Sequence, residues 1–404
     1  MKSKFHRKVL KNGMTIILEK RETPVVSVAF AVRCGGMNEA AGEKGISHFI
    51  EHLLYKGTET RSSRKIAEEI EKKGGILNGF TDETITAYWC KMPSRHLDVA
   101  LNVLSDMVKN SLFDGKEIEK ERHVIFEEMK MYKDNPLHYV LEKMQGSLYE
   151  EPLGIPLIGT EKTLNSLTRE KIIKRFGEIY NPKNLILCVV GDAEFEVLVD
   201  FAEKNFSDGS KIVKKVPSFK IVKRNQSGSE KRNGIDQASL VFAHHVPLLK
   251  TKGSYASCVL NVIMAGGMSS RLFQEIREKR NLAYGVKGDS EVNIDFAYNF
   301  IYVGTKKENV EPVKKLIVEE FEKVSKELTE EELNQVKEEI IGNLQISTED
   351  SQTQMVSLLH YEICGDAKDF YELEEKIKEV ELDEVKKVAK NAAKDYSFFA
   401  LLPE

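Results

Sequence analysis

Hydrophobic and polar positions follow the same programme twice along this chain. Residues 85–108 (ITAYWCKMPSRHLDVALNVLSDMV) open as an apolar-rich strand, cross a polar turn and continue with apolar residues at helical spacing. Residues 298–321 (YNFIYVGTKKENVEPVKKLIVEEF) repeat that order at an offset near 213. Charged stretches rich in helix formers follow in register at 116–134 and 329–346. LILCVVGD (185–192) and SFFALLPE (397–404) then close each half as an apolar strand. Strand runs interleaved with paired helices predict an α+β fold of two tandem homologous domains, each a mostly antiparallel sheet packed against helices. A length of 404 residues is long for one core and fits two. The predicted division is a first domain over 1–206, a linker over 207–234 rich in Ser, Gly, Lys and Arg, and a second domain over 235–404. Within the linker, SFKIV (218–222) has strand character.

One short helical pattern departs from this plain amphipathic scheme. His48-Phe-Ile-Glu-His52 sets two imidazoles one helical turn apart, about 40° around the axis, with Glu51 on the same face. Phe49, Ile50, Leu53 and Leu54 give the helix an apolar remainder that demands burial, so its polar face needs partners. Two neutral imidazoles on one face clamp zinc, and the adjoining carboxylate is placed to take a proton from water. Gly42 and Gly45 supply the turn into this helix. The arrangement is HxxEH, the reverse of the commoner HExxH.

A catalytic zinc needs a third protein ligand and one open position. The best source is Glu117-Ile-Glu-Lys-Glu-Arg-His-Val-Ile-Phe-Glu-Glu128, where Ile118, Val124, Ile125 and the following Met129 form one buried stripe. Glu121 and Glu128 lie two turns apart on the same face, which suits a ligand at one and a supporting carboxylate at the other. Periodicity does not choose between them. Glu117, Glu119 and Glu127 read as a solvated charged face.

HFIEHLLYKGT (48–58), followed by ERHVIFEEM (121–129), resembles the pitrilysin or insulinase family of zinc metallopeptidases, in particular the branch of mitochondrial processing peptidase and its small prokaryotic relatives. The resemblance implies zinc, one ion per chain, on His48, His52 and Glu128, with Glu51 as general base and Glu121 supporting the site. It runs nearly the whole length. GGILNGFTDETITAY (74–88) is similar to the family's substrate-binding edge strand, where Asn78 would hold the peptide backbone; Gly79 departs from the usual Ala. NPKNLILCVVGD (181–192) resembles the end of the family's first domain. AGGMSSRLFQEIREKRNLAYGV (265–286) resembles the second-domain segment whose Arg and Tyr, here Arg277 and Tyr284, reach the substrate near the metal. Both side chains can donate to a developing oxyanion. In register with His48–His52 the second half reads VIMAG (262–266), so one metal site per chain is expected.

The function implied is a zinc-dependent endopeptidase acting on peptides or unfolded polypeptides inside a chamber. Family members of this size resemble half of the large single-chain enzymes, which implies a homodimer, or a heterodimer with a metal-free relative. The competing reading, a non-catalytic peptide-binding or structural core subunit of the same fold, requires a lost ligand or base, and none is lost.

Composition bounds the rest. A 41% hydrophobic and 31% charged chain has ample core. A net charge of −4 argues against nucleic acid or an anionic membrane as the main partner. No apolar run approaches the roughly 18 residues of a membrane span, and the N-terminus lacks the apolar core of a signal peptide. Five scattered cysteines without a CxxC pair fit a reducing cytoplasm.

Overall fold

The structure is a computed structural model and describes residues 4–207 and 215–404. The part of the expected linker at 208–214 lies outside the described residues. The chain gathers into two compact units. The first takes the described residues up to Met129 together with Ile155–Lys220 and Ser347–Phe370; the second takes Lys130–Gly154, Ile221–Ile346 and Tyr371–Glu404.

The first unit holds a six-stranded sheet of β1 (Lys4–Val9), β2 (Thr15–Lys20), β3 (Val25–Val32), β4 (Ile76–Thr81), β5 (Thr86–Pro93) and β6 (Leu185–Gly191). Their order is β1-β2-β6-β3-β5-β4, with β2 and β6 parallel and every other pair antiparallel. The second unit holds β7 (Ser227–Arg232), β8 (Ala238–His245), β9 (Ala283–Val292), β10 (Ala297–Thr305) and β11 (Ser397–Pro403) in the order β7-β11-β8-β10-β9. Its one parallel pair is β7 with β11. Strand for strand, this is the first sheet without β1. The α+β architecture of two tandem, mostly antiparallel domains is therefore present, as the repeated pattern predicts.

Each sheet is covered by helices that include one from a distant stretch of chain. Helix Ser351–Ile363 packs on β3 and β6 of the first unit. Its Glu362 carboxylate accepts from Arg7 Nε and Nη2 at 2.8 and 2.9 Å and also pairs with Arg33. Ser351 Oγ meets Ser27 Oγ at 2.9 Å, and Gln354 donates to Glu19 at 2.6 Å. In the second unit, helix Pro136–Leu148 lies on β8 and β11, and the Tyr149 hydroxyl donates to the Ala297 carbonyl. SFKIV (218–222) forms no strand; just beyond it Lys223 makes a single bridge to Tyr149. Its alternation satisfies propensity, but no sheet edge takes it up, and propensity without a partner strand does not make a sheet.

The first core is built on β3, where Val26, Val28, Phe30 and Val32 are fully enclosed and Phe30 stacks on Phe206 with 5.6 Å between ring centroids. Phe30→Ala is expected to cost about 3–5 kcal/mol. A lowered denaturation midpoint of the purified variant in urea would show it.

Candidate metal centre

The helix Ile46–Leu54 is anchored before its first turn. Gly45 precedes it at φ 95, a left-handed conformation, and a Cβ there would stand 2.6 Å from the Ile158 carbonyl, so glycine is required on both counts. The Glu39 carboxylate, fully buried, accepts from the Gly45 and Ser47 backbone N–H at 2.9 and 2.7 Å. It thereby satisfies donors that a helix start leaves orphaned and places negative charge at the positive end of the helix. Lys44 is also enclosed and donates to the Gly36 carbonyl and Glu83. Ile46, Phe49, Ile50, Leu53 and Leu54 fill the core, which turns His48, Glu51 and His52 to the other side.

The helix Gly115–Asp134 brings two carboxylates to that side. Glu128 Oε2 lies 3.6 Å from His48 Nε2 and 3.5 Å from His52 Nε2. Ligands at about 2.0–2.1 Å from a tetrahedral ion stand about 3.3–3.4 Å from one another. The observed separations fit that polyhedron better than a direct hydrogen bond. Among the described residues, His48, His52 and Glu128 form the group whose ligand atoms, all within 4.8 Å of one another, suit a cation. His48 Nδ1, the ring nitrogen opposite the one facing Glu128, is buried with no hydrogen-bond partner among the described residues.

Glu121 accepts from His52 Nδ1 at 3.2 Å and receives Lys56 Nζ at 2.7 Å on its other oxygen. A carboxylate on Nδ1 fixes the tautomer and turns Nε2 toward Glu128. Although burial opposes charge on Glu121, His52 and Lys56 hold its carboxyl below the usual range. Glu51 accepts from the Thr81 hydroxyl at 2.7 Å, yet burial pushes its carboxyl above the usual range. A carboxylate made more basic by burial is suited to accept a proton near neutral pH.

The other sequence-selected residues fall in three places. Asn78 stands exposed on β4, the edge strand beside this helix, and its Oδ1 accepts from the Gly79 N–H at 2.8 Å. Arg277 and Tyr284 belong to the second unit. Arg277 lies in a wide π-type turn, Phe273–Glu278, with its guanidinium 4.7 Å from the Phe273 ring and 5.1 Å from the Tyr284 ring. Tyr284, at the start of β9, is 80% exposed. The two are thus brought together as a cation–π pair. Cys90 is buried and its thiol is pushed up to about 12, which suits an apolar filler rather than a nucleophile. Sequence reasoning passed over Lys56, Thr81, Glu39 and Lys44. Lys56 sits four residues beyond His52, a spacing that signals proximity; the other three carry no local signal.

The histidines respond to pH in opposite senses. Burial works against charge on His52, but the hydrogen bond to Glu121 and the nearby charges of Glu128 and Glu51 outweigh it and lift its pKa to about 9. Burial and the neighbouring His52 charge push His48 down to about 4. In metal-free protein, the stability His52 contributes is complete below the unfolded value of about 6.5 and is lost as pH rises from there toward about 9. For His48 the unfolded chain gains a proton first, so stability is lost as pH falls from about 6.5 toward about 4. Thermal midpoints of chelator-treated protein should fall along both limbs, and His52→Asn should flatten the alkaline one.

Comparison with known proteins adds a second line of observation. The profile of insulinase (Peptidase family M16) matches residues 15–161, and that of the peptidase M16 inactive domain matches 166–340. An uncharacterized zinc protease from Rickettsia felis is 35% identical over 352 residues, covering 86% of this chain and 85% of that one. A counterpart from Bacillus subtilis is 32% identical over 407 residues, 98% of each chain. The fold is shared with the crystal structure of a protease from Helicobacter pylori, at a TM-score of 0.92 and 24% identity over 99% of this chain and 100% of that one.

Proposed function

The chain belongs to the insulinase (M16) peptidase family, and from that premise we propose that it is a zinc-dependent endopeptidase cleaving peptides or unfolded polypeptides. The observation that carries the reading is the convergence of His48, His52 and Glu128, with ligand atoms within 4.8 Å, beside the basic carboxylate of Glu51. These three would hold one zinc per chain, with Glu121 fixing the His52 ring. Zinc, when bound, supplies a Lewis acid that polarises water and the scissile carbonyl.

The chain's own groups do the rest. Glu51 takes a proton from the attacking water and hands it to the departing amine nitrogen. Substrate lies extended along the β4 edge, with Asn78 holding its main chain, a mode that reads backbone more than side chains. Arg277 and Tyr284 act as donors to the carbonyl oxygen as charge develops there. The repeats 1–206 and 235–404, joined through 207–234, divide the work: the first carries the metal, and the second, reading VIMAG (262–266) at the equivalent place, carries the Arg/Tyr pair. A homodimer completes the chamber. The cytoplasm is the compartment proposed. Among the described residues, no helix is long and apolar enough to cross a membrane.

The deciding experiment combines zinc content with cleavage of an unstructured peptide. Wild-type protein should hold about one zinc per chain, and Glu51→Gln should keep the metal while losing about 10²–10⁴-fold in kcat. Zinc retained with turnover indifferent to Glu51→Gln would favour the non-catalytic subunit instead. Glu121→Gln should weaken zinc affinity about 10–100-fold in a competition titration with a coloured chelator.

A further inference from the structure

Among the described residues, the carboxylate of Glu51 is gripped by the edge strand rather than by its own helix. Thr81 Oγ1 donates to Glu51 Oε2 at 2.7 Å. Thr81 and Gly79 are two apart on β4 and so point to the same face, toward the helix Ile46–Leu54. At Gly79 a Cβ would stand 3.1 Å from Glu51 Oε1 and 2.5 Å from the Tyr55 hydroxyl. The volume that any larger residue would fill at 79 is therefore shared by a carboxylate oxygen and a phenol. That phenol is buried and, among the described residues, has no hydrogen-bond partner. Gly79 and Tyr55 are a matched pair: the strand leaves out a side chain, and the end of the helix supplies one.

We infer that Thr81 is a positioning residue that holds Oε2 and fixes the carboxylate plane, so that Oε1, flanked by Gly79 and Tyr55, is the oxygen that accepts the proton. This rests on the role of Glu51 as base proposed above. A hydroxyl donating to a carboxylate is a charge-assisted bond and orients a group that otherwise rotates freely about its last torsion. The peptide-receiving strand and the base are then aligned by a single piece of backbone, because residues 78 to 81 carry both.

The test uses the full-length, zinc-loaded protein and an unstructured peptide. Thr81→Val keeps the shape and removes the donor; Thr81→Ser keeps the donor. Thr81→Val should retain its zinc and its KM while kcat falls about 10–100-fold, and Thr81→Ser should recover kcat to within about threefold of wild type. Gly79→Ala should also lower kcat, with Tyr55→Phe in the same chain restoring part of it by vacating the contested volume. Wild-type kcat in Thr81→Val, a change confined to KM, or a Thr81→Ser as slow as Thr81→Val would each overturn the inference. Glu51→Gln measured alongside separates the two claims. If Glu51→Gln is inactive and Thr81→Val is not, only the positioning role falls; if Glu51→Gln is active, the base assignment falls with it.

Discussion

Everything about the candidate centre depends on a short helix that must bury charge. The apolar side of Ile46–Leu54 is fully enclosed, and His48, Glu51 and His52 on its polar side are themselves largely withdrawn from water. Ionisable groups in such a place persist only when each finds a counterpart. Glu39 meets the helix N-terminus, Lys44 meets Glu83, His52 meets Glu121, and Glu121 in turn meets Lys56. The arrangement terminates at His48, His52 and Glu128, where Glu128 Oε2 stands 3.6 and 3.5 Å from the two imidazoles.

The second unit shows what happens to the same geometry when that demand is lifted. Its sheet copies the first in order and direction, and Gly288 on β9 pairs with Ile301 as Gly79 on β4 pairs with Tyr88. A Cβ at Gly288 would stand 2.9 Å from Ala265 Cβ and 3.1 Å from Asn261 Oδ1. Close approach of strand and helix is thus common to both repeats, whereas the glutamate that exploits it in the first is an alanine in the second. Packing was duplicated and chemistry was not.

How much of this was legible in sequence follows from the range of the forces involved. Local periodicity shows the helix with His48, Glu51 and His52 because all three lie within one turn. It narrows the third ligand to Glu121 or Glu128 and stops there; the family resemblance implies Glu128, whose Oε2 stands 3.6 and 3.5 Å from the His48 and His52 Nε2 atoms. Thr81 and Glu39 could not be read at all, since each acts through a contact made only after strand and helix meet. SFKIV (218–222) misled for the complementary reason: its pattern is local, and a strand needs a neighbour.

The helices Pro136–Leu148 and Ser351–Ile363 carry one more implication. Each finishes a sheet whose strands come mostly from elsewhere in the chain, so neither 1–206 nor 235–404 contains all the parts of one compact unit. A ribosome that has released the first two hundred residues has made β1 to β6 but not the helix that seals β3 and β6. Until residues 351–363 have been made, that apolar face stays open, and the unit holding His48, His52 and Glu128 cannot complete its packing.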